Sequence, residues 1–322
     1  MTSDLDRAEA TKDFAISARG LRKIYPGAGG GAPKEALKGV DLDIRRGAIF
    51  GLLGPNGAGK STFINILAGL VNKTSGTARV WGFDIDKNPR QSRAAIGVVP
   101  QEINMDVFFT PREALEIQAG MYGVPRRERR TDEILEALGL ADKANAYVRH
   151  LSGGMKRRLL VAKALVHSPP VLILDEPTAG VDIELRKQLW NYVLDLNRAG
   201  VTIVLTTHYL EEAEELCDEI AIIHRGEVVA CEPKQTLIAS FDQKTLVVTP
   251  EEPLAAAPAL APFDAELRAD GRVAIPYRPS AVRVSEILQK LDAAGVRARD
   301  LSTEEPDLED VFLKFTYGAS AA

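Results

Sequence analysis

Gly54-Pro55-Asn56-Gly57-Ala58-Gly59-Lys60-Ser61-Thr62 is the stretch on which the fold turns. It satisfies the pattern G-x-x-x-x-G-K-[ST]. An apolar run, Ala48 to Leu53, precedes it and reads as a buried strand; Phe63 to Leu70 follows with apolar spacing that suits a helix. Strand, glycine loop and helix together are the context in which this pattern holds phosphates. Backbone N–H groups of such a loop converge on one concavity, and the helix N-terminus adds partial positive charge. A nucleoside triphosphate fits there. Lys60 is expected over its outer phosphates and the Ser61 hydroxyl on Mg²⁺, with Gly54, Asn56, Gly57, Ala58, Gly59 and Thr62 completing the cradle.

The bulk of the chain bounds the rest. Its 322 residues are enough for one large or two modest domains, and a net charge of −5 gives no basic excess for nucleic acid. Direct nucleic-acid binding is therefore not expected. Cys217 and Cys231 lack metal-ligand spacing and read as two free thiols. Residues 1–13 are polar, unlike a secretory signal, and read as a disordered tail. No apolar run approaches the roughly 18 residues of a membrane span. If this protein works at a membrane, another chain supplies the spans.

Phe14 to Tyr25 and Ala36 to Ile44 alternate apolar and polar residues, as half-exposed strands do. The glycine-rich segment between them, Pro26 to Pro33, lacks Lys-Ser/Thr and a following helix, so it reads as a flexible hairpin connection. Thr110 to Leu165 is helical in pattern, with Thr110 capping a helix that opens at Pro111 and Ser152 capping one from Gly153. Buried strands are predicted at Ile96 to Val99, Val171 to Leu174, Thr202 to Thr207 and Ile220 to Ile223. Strands alternating with helices predict an α/β phosphate-loop NTPase core with a mostly parallel sheet. An antiparallel β subdomain and an inserted helical subdomain (about 102–165) complete a domain over 14–240. A small α+β domain is expected at 241–322, after a composition shift near Ser240 and a Pro/Ala-rich linker.

Val171-Leu172-Ile173-Leu174-Asp175-Glu176 is an apolar strand ending in two carboxylates. In a phosphate-loop protein such an Asp holds Mg²⁺, and a neighbouring carboxylate can orient or deprotonate the attacking water.

Further pieces fall in a fixed order around this pair. Gln101 follows Ile96 to Pro100, Leu151-Ser152-Gly153-Gly154-Met155-Lys156 lies about twenty residues before Asp175, Ala179-Gly180-Val181-Asp182 comes just after Glu176, and His208 ends the strand Thr202 to Thr207. In order and spacing the set, over roughly Phe14 to Lys234, closely resembles the ATPases of ABC transporters. The resemblance implies ATP and Mg²⁺ as ligands. It implies Glu176 as general base, His208 on the γ-phosphate and attacking water, and Gln101 reaching the metal and that water beside Ser61 and Asp175. Tyr25 matches the aromatic that stacks on adenine; a strand-end tyrosine packing on its sheet is the lesser alternative. Ser152, Gly153 and Gly154 would meet the γ-phosphate held by a second copy in a head-to-tail dimer, with Asp182 in the segment coupling the two sites. Met155 departs from the commonest LSGGQ signature; the serine hydroxyl and glycine backbone that make the phosphate contacts are kept.

Pro306 to Lys314, Thr206 to Glu214 and Gly180 to Glu184 are similar to daunorubicin-resistance-type ATPases of the ABC-2 exporter group. That resemblance implies separate transmembrane permease subunits and a location on the cytoplasmic face of the inner membrane, peripheral through the permease. Glu102 to Gly123 would form the groove for a permease helix, with Met105, Val107, Phe108 and Phe109 as an apolar cluster; ordinary core packing of the phenylalanines is the alternative. The run Arg126 to Arg130 reads as a solvated helix face or a lipid-headgroup contact. A regulatory or nucleic-acid-associated ATPase without a transport partner is the competing reading of the whole chain.

Overall fold

A computed structural model describes residues 13–27, 31–178, 183–207 and 209–318. The N-terminal tail, residues 28–30 of the glycine-rich connection, Ala179 to Asp182 and His208 lie outside the described residues.

The chain begins with two long strands, β1 (Phe14–Tyr25) and β2 (Lys34–Arg45), paired antiparallel with Tyr25 opposite Lys34. The glycine-rich segment is thus the connection of a hairpin. A buried strand, β3 (Ile49–Leu53), leads into helix α1 (Lys60–Leu67). The helix begins inside the Lys-Ser-Thr motif and ends three residues before Leu70, where Gly69 adopts a left-handed φ of 72°. Two strands, β4 (Ser75–Val80) and β5 (Phe83–Asp84), a short helix α2 (Pro89–Ala94) and β6 (Ile96–Val99) follow.

Helices then take over: α3 (Pro111–Met121), α4 (Thr131–Ala137) and α5 (Gly153–Leu165). Thr110 and Glu113 form a reciprocal capping box on α3, so two donors at its start are satisfied by local side chains. The core resumes with β7 (Val171–Asp175), α6 (Ile183–Arg198), β8 (Thr202–Thr206), α7 (Leu210–Leu216), β9 (Glu219–His224), β10 (Glu227–Pro233) and α8 (Lys234–Ala239). The remainder is β11 (Lys244–Pro250), β12 (Glu266–Leu267), β13 (Val273–Tyr277), α9 (Val284–Ala293), β14 (Ala298–Glu304) and α10 (Leu308–Tyr317).

Two compact units divide at residues 234 and 235. In the first, an antiparallel sheet of order β2-β1-β4-β5 accompanies a six-stranded sheet of order β10-β9-β3-β8-β7-β6. Within the six-stranded sheet β9, β3, β8, β7 and β6 run parallel and only β10 is antiparallel. β6 and β7 pair directly although α3 to α5 separate them in sequence, so the helical stretch is an insertion between adjacent core strands. A common core joins Ile16 and Leu21 of β1, Phe50 and Leu52 of β3, Phe63 of α1 and Ile173 of β7. Fully burying each such side chain contributes about 1.5–3 kcal/mol. Strands buried on both faces explain why β3, β7 and β8 read as continuous apolar runs.

The second unit is a four-stranded antiparallel sheet, β12-β13-β11-β14, packed through Val248, Ile275, Ile287 and Leu291 against α9. Leu308 and Val311 of α10 are buried, and Asp307 and Asp310 form its capping box. Among the described residues no helix is long and apolar enough to cross a membrane.

Candidate active site

β3 delivers the loop from the middle of the parallel sheet, between β9 and β8. Within the loop Ala58 N donates to Pro55 O at 3.1 Å, and from outside it Gly226 N donates to Ala58 O at 2.8 Å. Gly54 and Gly59 have no room for a side chain. A Cβ on Gly54 would lie 2.2 Å from Ile223 O, and one on Gly59, at φ 117°, 2.7 Å from Ala36 O. Asn56 and Gly57 are exposed at the rim, Ser61 is exposed at the start of α1, and Thr62 is half-buried.

Lys60 is buried and folds across the loop, where Nζ donates to Gly54 O at 2.6 Å and Pro55 O at 3.3 Å. Burial holds its ammonium below the ordinary lysine pKa, and the fields of Glu176 and Asp175 oppose that shift. The lysine of one motif is therefore within electrostatic reach of both carboxylates of the other.

Those carboxylates sit where β7 ends beside β8. The parallel register sets Asp175 against Thr206. Thr206 Oγ1 donates to Asp175 Oδ1 at 2.5 Å, and Glu176 N donates to Thr206 O at 3.0 Å and lies 3.1 Å from its Oγ1. Glu176 is 8% exposed and occupies the left-handed region at φ 48°. A non-glycine residue there is uncommon, and such strain gathers at functional sites. Gln101, just beyond β6, donates through Nε2 to Glu176 Oε2 at 2.7 Å.

Two predicted contributors stand apart from this cluster. Ser152 caps α5, its Oγ accepting from Met155 N at 3.2 Å. Gly153, next in the chain, is exposed, and a side chain there would meet nothing within 4 Å. Tyr25 is half-buried at the end of β1, with Lys23 Nζ 4.8 Å from its ring centroid. Its register partner Lys34 lies two residues before Ala36, which abuts Gly59.

Comparison with known proteins gives this geometry a family. Residues 37–179 match the family described as ABC transporter. The linearmycin resistance ATP-binding protein LnrL of Bacillus subtilis is 36% identical over 314 residues, covering 94% of this chain and 98% of that protein. The chain belongs to the ATP-binding subunits of ABC transporters. Daunorubicin resistance ATP-binding protein DrrA2 of Streptomyces coeruleorubidus is 37% identical over 94% of this chain and 95% of its own length. Nod factor export ATP-binding protein I of Ralstonia nicotianae is 36% identical over 94% and 93%. A solved ATP-binding subunit of an ABC transporter superposes with a TM-score of 0.64 at 28% identity, covering 70% of this chain and 93% of that one. A dimeric cassette in a post-hydrolysis state bound to ADP and Pi matches with a TM-score of 0.60 at 29% identity, covering 68% and 98%.

The ABC ATPase binds and hydrolyses ATP, and its relatives are those of the ABC-2 exporter group. The fold is the phosphate-loop ABC fold expected from the motifs. Sequence reasoning missed three parts of the site. Thr206 holds both carboxylate residues. Arg157, buried on α5, donates from Nη1 to Pro100 O at 2.9 Å, immediately before Gln101. Burial holds its guanidinium below the ordinary arginine pKa, while Glu176 and Asp175 oppose the shift. Glu212 gathers Thr178 and Thr207, which lie two residues beyond Glu176 and one beyond Thr206. An arginine or glutamate on an amphipathic helix carries no sequence signal for burial; only the fold turns these inward.

Proposed function

We propose that this ABC ATPase is the motor of an exporter. ATP binding closes a head-to-tail dimer of the chain and moves separate transmembrane subunits, and hydrolysis resets the assembly. The observation that carries the catalytic half is the Gln101–Glu176 hydrogen bond of 2.7 Å beside Asp175 and Lys60, which assembles base, metal-side carboxylate and phosphate cation at the C-terminal ends of the parallel strands. Lys60, held by two loop carbonyls, exchanges them for outer phosphate oxygens. Glu176 accepts the proton of the attacking water as its oxygen adds to the γ-phosphorus and the bond to ADP breaks; His208 steadies the γ-phosphate.

The donor set fits Mg²⁺. Ser61 and Gln101 offer neutral oxygens, and Asp175 keeps Oδ2 beside the oxygen bonded to Thr206, an all-oxygen set that leaves room for waters. The metal would offset charge on the β- and γ-phosphates. Stacking of adenine on Tyr25 is supported by the closeness of β2 to the loop. The start of α5, with Ser152 and Gly153 exposed and Gly154 half-buried, suits a γ-phosphate carried by a second copy, because helix N-termini attract anions. Asp182 is assigned to the coupling of the two sites on the family resemblance.

For the permease, support comes from the segment after Gln101. Phe108 is 71% and Met121 79% exposed, so core packing does not claim them. A cleft of about 240 Å³ is lined by Leu70, Pro100, Asn104, Gln118 and Tyr122. Arg130 instead pairs with Glu133 on an exposed surface, whereas Arg129 is largely buried and pairs with Glu116. Docking there would put the chain on the cytoplasmic face of the membrane. Resistance and export in the relatives' names favour transport over a regulatory or nucleic-acid role. Tagged full-length protein purified from detergent-solubilised host membranes should retain a membrane protein of about six spans. Recovery with ribosomes or DNA instead would overturn the transport reading.

A further inference from the structure

Glu212, in the first turn of α7, is 5% exposed. A buried carboxylate costs several kcal/mol unless its oxygens are satisfied. Oε2 accepts from Thr178 Oγ1 at 3.0 Å and from Thr207 Oγ1 at 3.1 Å. Oε1 faces Arg186 Nε of α6 at 3.3 Å, and the Arg186 guanidinium lies 4.8 Å from the Tyr209 ring centroid. Tyr209 N in turn donates to Thr207 Oγ1 at 2.9 Å.

The positions of these partners decide what the carboxylate does. Thr178 is two residues beyond Glu176 and four before Asp182. Thr207 follows Thr206, which grips Asp175 and Glu176, and precedes His208. Both threonines are essentially inaccessible to water, so neither hydroxyl has a solvent alternative. One oxygen atom therefore ties the segment leaving β7 to the segment leaving β8, on the side of the sheet from which the catalytic groups emerge.

We propose that Glu212 is a positioning residue for hydrolysis: its carboxylate clamps Thr178 to Thr207 and thereby fixes the segments carrying Glu176 and Thr206. This rests on the assignment of Glu176 to ATP hydrolysis. Glu212 touches no phosphate, so its removal acts on the alignment of the attacking water rather than on the grip on ATP. A small misplacement of reacting groups costs about 10- to 100-fold in rate.

The test uses the full-length protein, with steady-state MgATP turnover and titration of a fluorescent ATP analogue. Glu212→Ala should lower kcat at least about 10-fold while nucleotide affinity stays within about 3-fold. Glu212→Gln should recover most of kcat, because its carbonyl oxygen still accepts both hydroxyls. Parental kcat in Glu212→Ala, or a loss of affinity as large as the loss of kcat, overturns the proposal. If Glu212→Ala does not fold, Thr178→Val removes one donor at constant shape: a several-fold lower kcat with unchanged affinity supports the clamp, and unchanged kcat refutes it. Glu176→Gln run alongside separates the two levels, since parental turnover in that variant removes the catalytic assignment itself.

Discussion

Gln101 Nε2 donates to Glu176 Oε2 at 2.7 Å, joining side chains 75 residues apart across the ends of β6 and β7. The bond aims a carboxylate that the backbone already holds in a left-handed conformation. Glu176→Gln should lower turnover by roughly 100-fold or more with ATP still bound, the range expected for losing a general base. Gln101→Ala should lower kcat less, since Glu176 remains but loses the hydrogen bond that orients it. Steady-state ATPase assays with a parallel binding titration check both. Parental turnover in Glu176→Gln would remove it from the role of base.

Lys60 presents the opposite signature. Its ammonium is already desolvated, so phosphate oxygens replace the Gly54 and Pro55 carbonyls as its acceptors without further loss of water. Lys60→Ala should weaken ATP binding at least about 10-fold, equivalent to about 1.4 kcal/mol. Calorimetric titration with ATP reads this directly, and unchanged affinity contradicts the site.

Arg157 links α5 to Pro100, one residue from Gln101. Arg157→Met keeps the aliphatic stem but leaves the Pro100 carbonyl without this donor. Stability in urea should fall by about 1–3 kcal/mol. Turnover should fall beyond the folded fraction, because the segment bearing Gln101 loses its anchor.

His167 stacks on Tyr122, with ring centroids 3.7 Å apart and planes within 2°, and its Nε2 lies 3.1 Å from Ile96 O. Burial lowers the imidazole pKa from its ordinary 6.5, and the Ile96 hydrogen bond opposes the shift. Below pH 6.5 the unfolded chain therefore binds more protons at this ring than the folded one does. Its stability contribution is present above that pH and is lost as pH falls toward the depressed folded value. Urea unfolding across this range should show a shallower pH dependence for His167→Phe, which keeps an aromatic face but cannot titrate. Equal slopes would refute the assignment.

Neither thiol should react readily in the folded protein. Burial pushes Cys217 up to about 12 and Cys231 up to about 11. Less than ~0.1% of either is thiolate at neutral pH, and the thiolate is the reactive form. A chromogenic disulfide reagent at neutral pH should label the native protein slowly and both sites promptly after denaturation. Prompt stoichiometric labelling of native protein would contradict this.

The helical insertion shows how far local pattern reached. Thr110, Pro111 and Ser152 announced helix starts because capping chemistry is complete within four residues. The same locality explains the loop: Gly54 to Thr62 carries its geometry in consecutive residues, so it was legible along with the apolar strands that flank it. The order of the motifs was enough to show the family.

What required the tertiary structure was every relation between distant segments. Register alone sets Thr206 against Asp175, because β7 and β8 pair side by side though 31 residues separate the two side chains. Burial alone decides that Arg157 and Glu212 face inward while Arg130 faces water. A charged residue has the same identity in either place. Its role is decided by whether water or a particular oxygen satisfies it, and only the packed chain makes that choice.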